Sequence, residues 1–244
     1  MRLLDEAVVL GYRRFQDSLD IALVFSREHG LMRGVYRRDK RRAAPQPGSV
    51  VAACWTARLA EQLGRFELET TQPAPVLLGN RLGLTALSSA VSLLHDLLPE
   101  RHPYPVLYAA LVHLISALTA NSHAAAAYLE FELILLQEAG YGLDVSRCAV
   151  TGATEDLRYI SPRTGRAVSS SAGAAYKDKL FPLLPTLKNP ALAGNDWRTA
   201  GEALRILSAF LNALLHDEER RVMPAPRERL LDCISGDAPA PLAF

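Results

Sequence analysis

Cysteine is scarce in this sequence, and long apolar runs are missing. The three cysteines, Cys54, Cys148 and Cys233, lie far apart and form no C-x-x-C pair, which argues against a disulfide framework and against a zinc site built from neighbouring residues. No stretch reaches the roughly 18 uninterrupted apolar residues that a membrane span needs. We therefore expect a cytoplasmic protein with reduced thiols and no membrane partner.

The sequence also lacks the motifs of common enzymes. Its six histidines show no H-x-x-x-H or H-E-x-x-H spacing, and the chain has no G-x-S-x-G, G-K-[ST] or G-x-G-x-x-G motif. Glu130 and Glu132 would stand about 200° apart around a helix and could not face one metal ion together. We expect these carboxylates to face water or to cap a charge, and we predict that the protein is not an enzyme and needs no cofactor.

Charge is nearly balanced, with a formal net charge of +1, so a polyanion can be attracted only by a local cluster. One such cluster precedes the loop at 43–48. Lys and Arg side chains in such a run can neutralise the phosphates of a single strand, although a solvated basic loop is the simpler interpretation. The cluster consists of Arg33, Arg37, Arg38, Lys40, Arg41 and Arg42.

The period of the apolar residues changes near residue 75. Before that point they alternate with a period of two in five short runs, for example at 21–25 and 51–59. Five short antiparallel strands suit a small closed barrel, of which the OB-fold is the common form. We predict an α+β, multidomain chain in which an N-terminal five-stranded OB-fold β-barrel at 1–78 is followed by an α-helical domain at 79–244.

Helical spacing of leucines predicts four helices in the second part. The first two span 87–98 and 105–118, the third begins at Ser122 as N-cap and stops at Gly140, and the fourth begins at Asp196 as N-cap. Between the third and fourth helices, at about 142–195, Gly, Ser, Thr and Pro interrupt the helical period. This segment predicts a small β-hairpin and loop insertion with its turn at Gly165.

Three stretches of the chain resemble the RecO family of bacterial recombination mediators. Residues 6–10 and 26–30 resemble the first strands of the family's OB domain, and 131–144 resemble its central helix and exit turn. The third stretch is Cys148 with the hairpin residues 159–162 and Gly165. Their order and spacing, together with the change from strands to helices, extend the resemblance over nearly the whole chain.

The resemblance implies recombinational repair in the nucleoid. A protein of this type binds single-stranded DNA, promotes strand annealing and helps to load recombinase onto DNA coated by single-strand-binding protein. The implied partners are single-stranded DNA, RecR and the C-terminal tail of the single-strand-binding protein.

The resemblance also bears on zinc. Some members carry a four-cysteine zinc motif, whereas this chain keeps Cys148, has Thr151 at the second position, and has serines at 169–171 where the second pair is expected. The insertion is therefore predicted to be a degenerate zinc-finger-like region without metal.

Two sets of binding residues are predicted. Relatives often carry basic residues before the Phe-Glu of the central helix, where this chain has Leu129 and Glu130, so the cations for the acidic tail should come from helix ends. These candidates are Arg101, Arg205, Arg220 and Arg221. The candidate DNA-binding residues are Arg13, Arg14, Arg33, Tyr36, Arg37, Arg38, Lys40, Arg41 and Arg42.

Two other functions stay open. The chain could be a protein-binding adaptor whose basic loop contacts acidic partner tails, and competition between short single strands and an acidic peptide would separate this function from DNA binding. It could also be a metal-dependent hydrolase with ligands from distant loops, which bound-metal analysis would test.

Overall fold

The protein, examined as a computed structural model, is described at residues 1–39, 43–59, 62–217 and 222–236. It forms two compact units, Met1–Ala120 and Asn121–Phe244, which we call the barrel unit and the helical unit. Five of the predicted binding residues lie outside the described residues, namely Lys40, Arg41, Arg42, Arg220 and Arg221.

Five strands form the barrel of the first unit, namely β1 (Arg2–Gln16), β2 (Leu19–Ser26), β3 (Gly30–Arg37), β4 (Val50–Thr56) and β5 (Gly64–Gln72). They close in the order β1-β2-β3-β5-β4. β1 pairs antiparallel with both β2 and β4, and a short parallel pairing of β3 with β5 completes the barrel. This arrangement confirms the predicted five-stranded barrel and fits an OB-fold.

Alternating side chains fill the barrel. Val9, Val24 and Val51 point inward together with the rings of Trp55 and Phe66, because successive residues of a strand face opposite sides. The indole Nε1 of Trp55 donates a hydrogen bond to the Arg33 carbonyl at 3.2 Å. A Cβ atom at Gly64 would lie 2.2 Å from the Trp55 ring, so this position needs glycine.

Two helices cover the outer face of the barrel. α1 (Arg81–Leu97) and α2 (Pro105–Ala120) match the first two predicted helices. The rings of Phe25 on β2 and Tyr108 on α2 lie 6.0 Å apart, and the Tyr108 hydroxyl donates to Glu6 Oε1 at 3.0 Å. Both helices thus belong to the barrel unit, while the domain boundary at 78/79 stays a prediction.

The helical unit contains five α-helices and a small sheet among its described residues. The elements are α3 (Ala124–Glu138), β6 (Leu157–Ile160), β7 (Ala167–Ser169), α4 (Ser170–Gly173), β8 (Phe181–Pro182), α5 (Pro185–Lys188), α6 (Trp197–Asp217) and α7 (Ala225–Ser235). The sheet has the order β7-β6-β8, and Gly165 has a φ of 66° in the turn between β6 and β7, as the predicted hairpin requires. No described helix is long and apolar enough to cross a membrane.

Side-chain oxygens of two neighbouring residues, Asn195 and Asp196, cap the N-termini of α3 and α6. The Asp196 carboxylate accepts the Arg198 amide at 2.9 Å, which confirms the predicted cap of α6, and the hydroxyl of Thr199 lowers the pKa of Asp196. The predicted Ser122 cap of α3 is wrong, because His123 precedes the helix in a left-handed conformation. The side-chain oxygen of Asn195 instead accepts the Ala124 amide at 3.1 Å.

A fully buried ion pair joins α3 to α7. Glu132 and Arg227 are both 0% exposed, and Arg227 Nη2 donates to Glu132 Oε2 at 3.0 Å and to the Leu204 carbonyl at 2.9 Å. Of the two alternatives expected for Glu132, facing water or capping a charge, the second is confirmed, because the buried carboxylate bonds Arg227. The pair connects three helices, α3, α6 and α7.

Candidate nucleic-acid interface

Strands β1, β2 and β3 form a ribbon whose two faces carry different residues. Arg13 lies opposite Ile21, which lies opposite Val35, and the next row holds Arg14, Asp20 and Tyr36. Because side chains alternate, Arg33 and Arg37 share the outward face with Val35 and therefore with Arg13. The structure thus brings three of the predicted DNA-binding arginines to one face.

These three outward arginines differ in their partners. The Nε of Arg33 lies 3.1 Å from Glu100 Oε1, so part of its charge is neutralised. Arg13 and Arg37 are exposed and have no ion-pair partner among the described residues. The outward face therefore presents two uncompensated charges and a third that is shared with a carboxylate.

Tyr36 lies on the other face of the ribbon and is half-buried. Its ring lies 5.4 Å from that of Tyr12, and burial raises the pKa of both phenols. This contact occupies ring surface that a nucleobase would need. Phe15, near the end of β1, is 49% exposed and offers more accessible aromatic surface.

Arg38 connects the end of β3 to the turn between β1 and β2. Its Nε lies 3.1 Å from Asp20 Oδ2, and its Nη2 donates to the Asp17 carbonyl at 2.7 Å. The sequence pattern counted Arg38 among the free cations of the cluster. In the structure, the buried carboxylate of Asp20 pairs with Arg38 and compensates its charge.

Two of the predicted partner-binding arginines lie among the described residues, one in each unit. Arg101 belongs to the barrel unit, where its guanidinium carbon lies 5.2 Å from the centre of the Trp55 ring. Arg205 lies on α6 of the helical unit and donates to Ser235 Oγ on α7 at 2.8 Å. Each arginine thus contacts its own unit.

A cavity of about 260 Å³ lies beside α3 in the helical unit. Exposed Lys188 stands at its edge, and Glu130 lies on α3 beside the apolar lining. Sequence reasoning missed Lys188, because no pattern places the end of α5 beside α3. The remaining lining residues are Leu133, Ile134, Gln137, Leu143, Leu187 and Pro190.

Cys148 lies where some relatives hold zinc, but its surroundings do not fit the metal. Its sulfur accepts the backbone amides of Ser169 at 3.3 Å and Thr151 at 3.5 Å, and it contacts the Ser169 hydroxyl. Hydroxyls are poor zinc ligands, and the described residues contain no group of three or more His, Cys, Asp or Glu side chains placed to hold a metal. Hydrogen bonds from Ser169 and then Thr151 lower the pKa of the thiol to about 6.

Comparison with known proteins decides the family. Residues 1–74 match the family described as Recombination protein O N terminal, and residues 79–221 match Recombination protein O C terminal. The chain belongs to the RecO family of DNA repair proteins. It is similar to RecO of Cereibacter sphaeroides, at 40% identity over 95% of this chain and 98% of the relative.

Two other RecO proteins agree in identity and coverage. The chain is 41% identical to RecO of Rhodospirillum centenum, with 97% of this chain and 98% of the relative covered. It is also 41% identical to RecO of Paracoccus denitrificans, with 93% of each covered. Barrel and helical units together therefore correspond to a whole RecO chain, and the resemblance inferred from the sequence is confirmed.

Proposed function

We propose that this RecO protein binds single-stranded DNA on the β1-β2-β3 face of its barrel, promotes annealing and helps to load recombinase onto DNA coated by single-strand-binding protein. The observation that carries the proposal is the convergence of Arg13, Arg33 and Arg37 on one exposed face. The basic segment at 37–42 continues from the same strand.

The mechanism is charge neutralisation and positioning, without bond chemistry. Complementary strands repel each other through their phosphates, and each arginine that replaces a counterion lowers that repulsion. Arg13 and Arg37 on this face, and Arg14 on the opposite face of the same hairpin, have no carboxylate partner among the described residues and supply most of this charge. Arg33 and Arg38 contribute less, since Glu100 and Asp20 already compensate them, and exposed Phe15 adds stacking.

Competition separates this function from the adaptor alternative. A labelled single strand should bind at low salt, and an unlabelled acidic peptide should displace it only weakly, because a peptide lacks the regular charge spacing of a phosphate backbone. Annealing of two complementary oligonucleotides should be at least about fivefold slower when Arg13, Arg14 and Arg37 are replaced by Ala. Failure of single strands to bind, together with tight binding of the peptide, would favour the adaptor.

The helical unit supplies the docking site for the tail of the single-strand-binding protein in this proposal. The resemblance implies a partner tail that is acidic and ends in an aromatic residue. The cavity beside α3 combines an apolar lining with Lys188, which suits such a tail. RecR is the third implied partner, and the described residues offer no feature that selects its site.

Charge reversal at this cavity tests the docking site. Lys188→Glu should lower the affinity for a tail peptide by about five- to tenfold, because it repels an acidic ligand. Glu130→Lys should raise that affinity, because it attracts the same ligand. Lys179→Glu changes an exposed lysine of the same unit away from the cavity lining and serves as the matched control. Equal peptide affinity of all three variants would place the tail elsewhere.

A further inference from the structure

The second half of β1 has an edge that no other strand covers. β1 pairs with β2 from Ala7 to Gln16 but with β4 only from Arg2 to Val8. The backbone of Val9 makes the last bonds on the β4 side, to Ser49 and Gly48. From Leu10 to Gln16, no described backbone group outside β2 bonds this strand.

A cavity of about 650 Å³ adjoins this open edge. Four consecutive residues of β1, Leu10 to Arg13, line it. The register shift between Val9 and Gly11 interrupts the alternation of side chains there, and the lining residues of β2 and β3 place the cavity over the outward face of the ribbon, beside the open-edged segment. The other lining residues are Ile21, Leu23, Arg33, Leu63, Val91, Ser92 and His95.

The ionisable residues that line the cavity are all basic. None of its lining residues is acidic, and exposed Arg13 has no ion-pair partner among the described residues. Arg33 and His95 are paired with Glu100 and Asp96, which lie outside the lining. Cations beside an open edge attract an acidic strand and repel a basic one, so the edge favours an acidic ligand.

We propose that an extended, acidic segment of a partner protein adds to the open edge of β1 as a further strand and places an aliphatic side chain in the cavity. This interaction goes beyond DNA binding. An unpaired strand edge offers backbone donors and acceptors at the spacing of another strand, which matches a peptide and not a nucleic acid. The cavity lining also favours a peptide, because it is mainly aliphatic and the ring of Tyr12, its one aromatic residue, packs against Tyr36.

Backbone methylation tests strand addition directly. An array of ten-residue peptides that alternate Asp or Glu with Val, Leu, Ile or Phe is screened against the full chain, and the tightest peptide is taken into solution. It is then made in two forms, each N-methylated at alternate residues. Because alternate amides of an added strand point toward its neighbour, one form should lose at least about tenfold in affinity and the other should stay within about twofold.

Protein variants locate the added strand. Arg13→Glu and Ser92→Glu should each lower the affinity for the peptide at least about fivefold, because the new carboxylate repels an acidic ligand. Arg58 is an exposed arginine outside the cavity, and Arg58→Glu should leave the affinity within about twofold of the wild type. Unchanged thermal melting of each variant shows that the fold persists. The proposal is overturned if no peptide of the array binds, if both methylated forms behave alike, or if Arg13→Glu and Ser92→Glu bind like Arg58→Glu.

Single-stranded DNA is the competing occupant. An oligo(dT) that displaces the peptide from the wild type, combined with equal effects of both methylated forms, would assign the cavity to the DNA path. Apart from this competition, the peptide measurements contain no DNA, so peptide binding can fail while the annealing results hold, and annealing can fail while peptide binding holds.

Discussion

The two units of this protein treat charged pairs differently. In the barrel unit, every described ion pair keeps at least one partner in contact with water, as Arg38 does beside Asp20 and His29 does beside Asp5. In the helical unit, two described pairs, Arg158 with Asp156 and Arg166 with Asp144, are likewise exposed, but the pair of Glu132 and Arg227 is fully buried. The barrel therefore rests on apolar packing, whereas the attachment of α7 depends on a charge pair that water does not reach.

This difference decides how each unit responds to substitution. A solvated pair that loses one member leaves the other hydrated, so little stability is lost. A buried pair that loses one member leaves an uncompensated charge in an apolar surrounding, which costs far more than the pair contributes. α7 is sensitive for a second reason, because Arg227 and Leu230 are its only buried residues among those described.

The largest effect is expected from Arg227→Met. The change leaves Glu132 buried without a partner and should lower the free energy of unfolding by about 3–5 kcal/mol. Urea denaturation measures the loss, and hydrogen exchange should show faster exchange of the α7 amides. The double variant Glu132→Leu/Arg227→Met should recover most of the stability, because it removes both charges. A double variant as unstable as the single one would mean that shape, not charge, holds α7.

Tyr108→Phe makes the matching change in the barrel unit. The hydroxyl of Tyr108 donates to Glu6, which is exposed and can bond water instead. The expected loss is about 1 kcal/mol or less, measured by the same urea denaturation. A loss above about 3 kcal/mol would erase the contrast between the units.

A smaller effect concerns Cys148 and pH. The folded protein lowers the pKa of this thiol from its ordinary value near 9 to about 6, through hydrogen bonds from Ser169 and then Thr151. A lowered thiol pKa stabilises the folded state fully above the ordinary value, and this contribution is lost as the pH falls toward 6. The stability difference between wild type and Cys148→Ser should therefore grow from pH 6 to pH 9 in thermal melts. A stability difference that stays constant from pH 6 to pH 9 would contradict the lowered pKa of the Cys148 thiol.

Sequence periodicity predicted most of the fold for a physical reason. Alternating runs bury one face of a strand, so the five strands of the barrel were predictable, and leucine spacing located α1, α2, α3 and α6. It missed α7 because that helix buries only two side chains, one of them charged. β8 was missed because two residues, Phe181 and Pro182, are too short a run to carry a period.

The candidate sites were less predictable, because they depend on contacts between distant residues. The sequence marked Arg33 and Arg38 as cations, but it could not show that Glu100 and Asp20 compensate them. Nor could it show that Arg227 meets Glu132, which lies 95 positions earlier in the chain. Local patterns identified the charged residues, and tertiary structure decides which charges stay free.

The central claim is that the arginines without carboxylate partners carry DNA binding. The salt dependence of single-strand affinity, followed by fluorescence anisotropy, tests it most directly. Replacing Arg13, Arg14 and Arg37 with Ala should flatten the slope of log K against log salt by about 2, since each phosphate contact contributes roughly 0.7. The matched variant Arg33→Ala/Arg38→Ala should change the slope less per residue, and Arg27→Ala/Arg58→Ala, elsewhere on the barrel unit, should leave it unchanged. Equal slopes for the wild type and the triple variant would contradict the account.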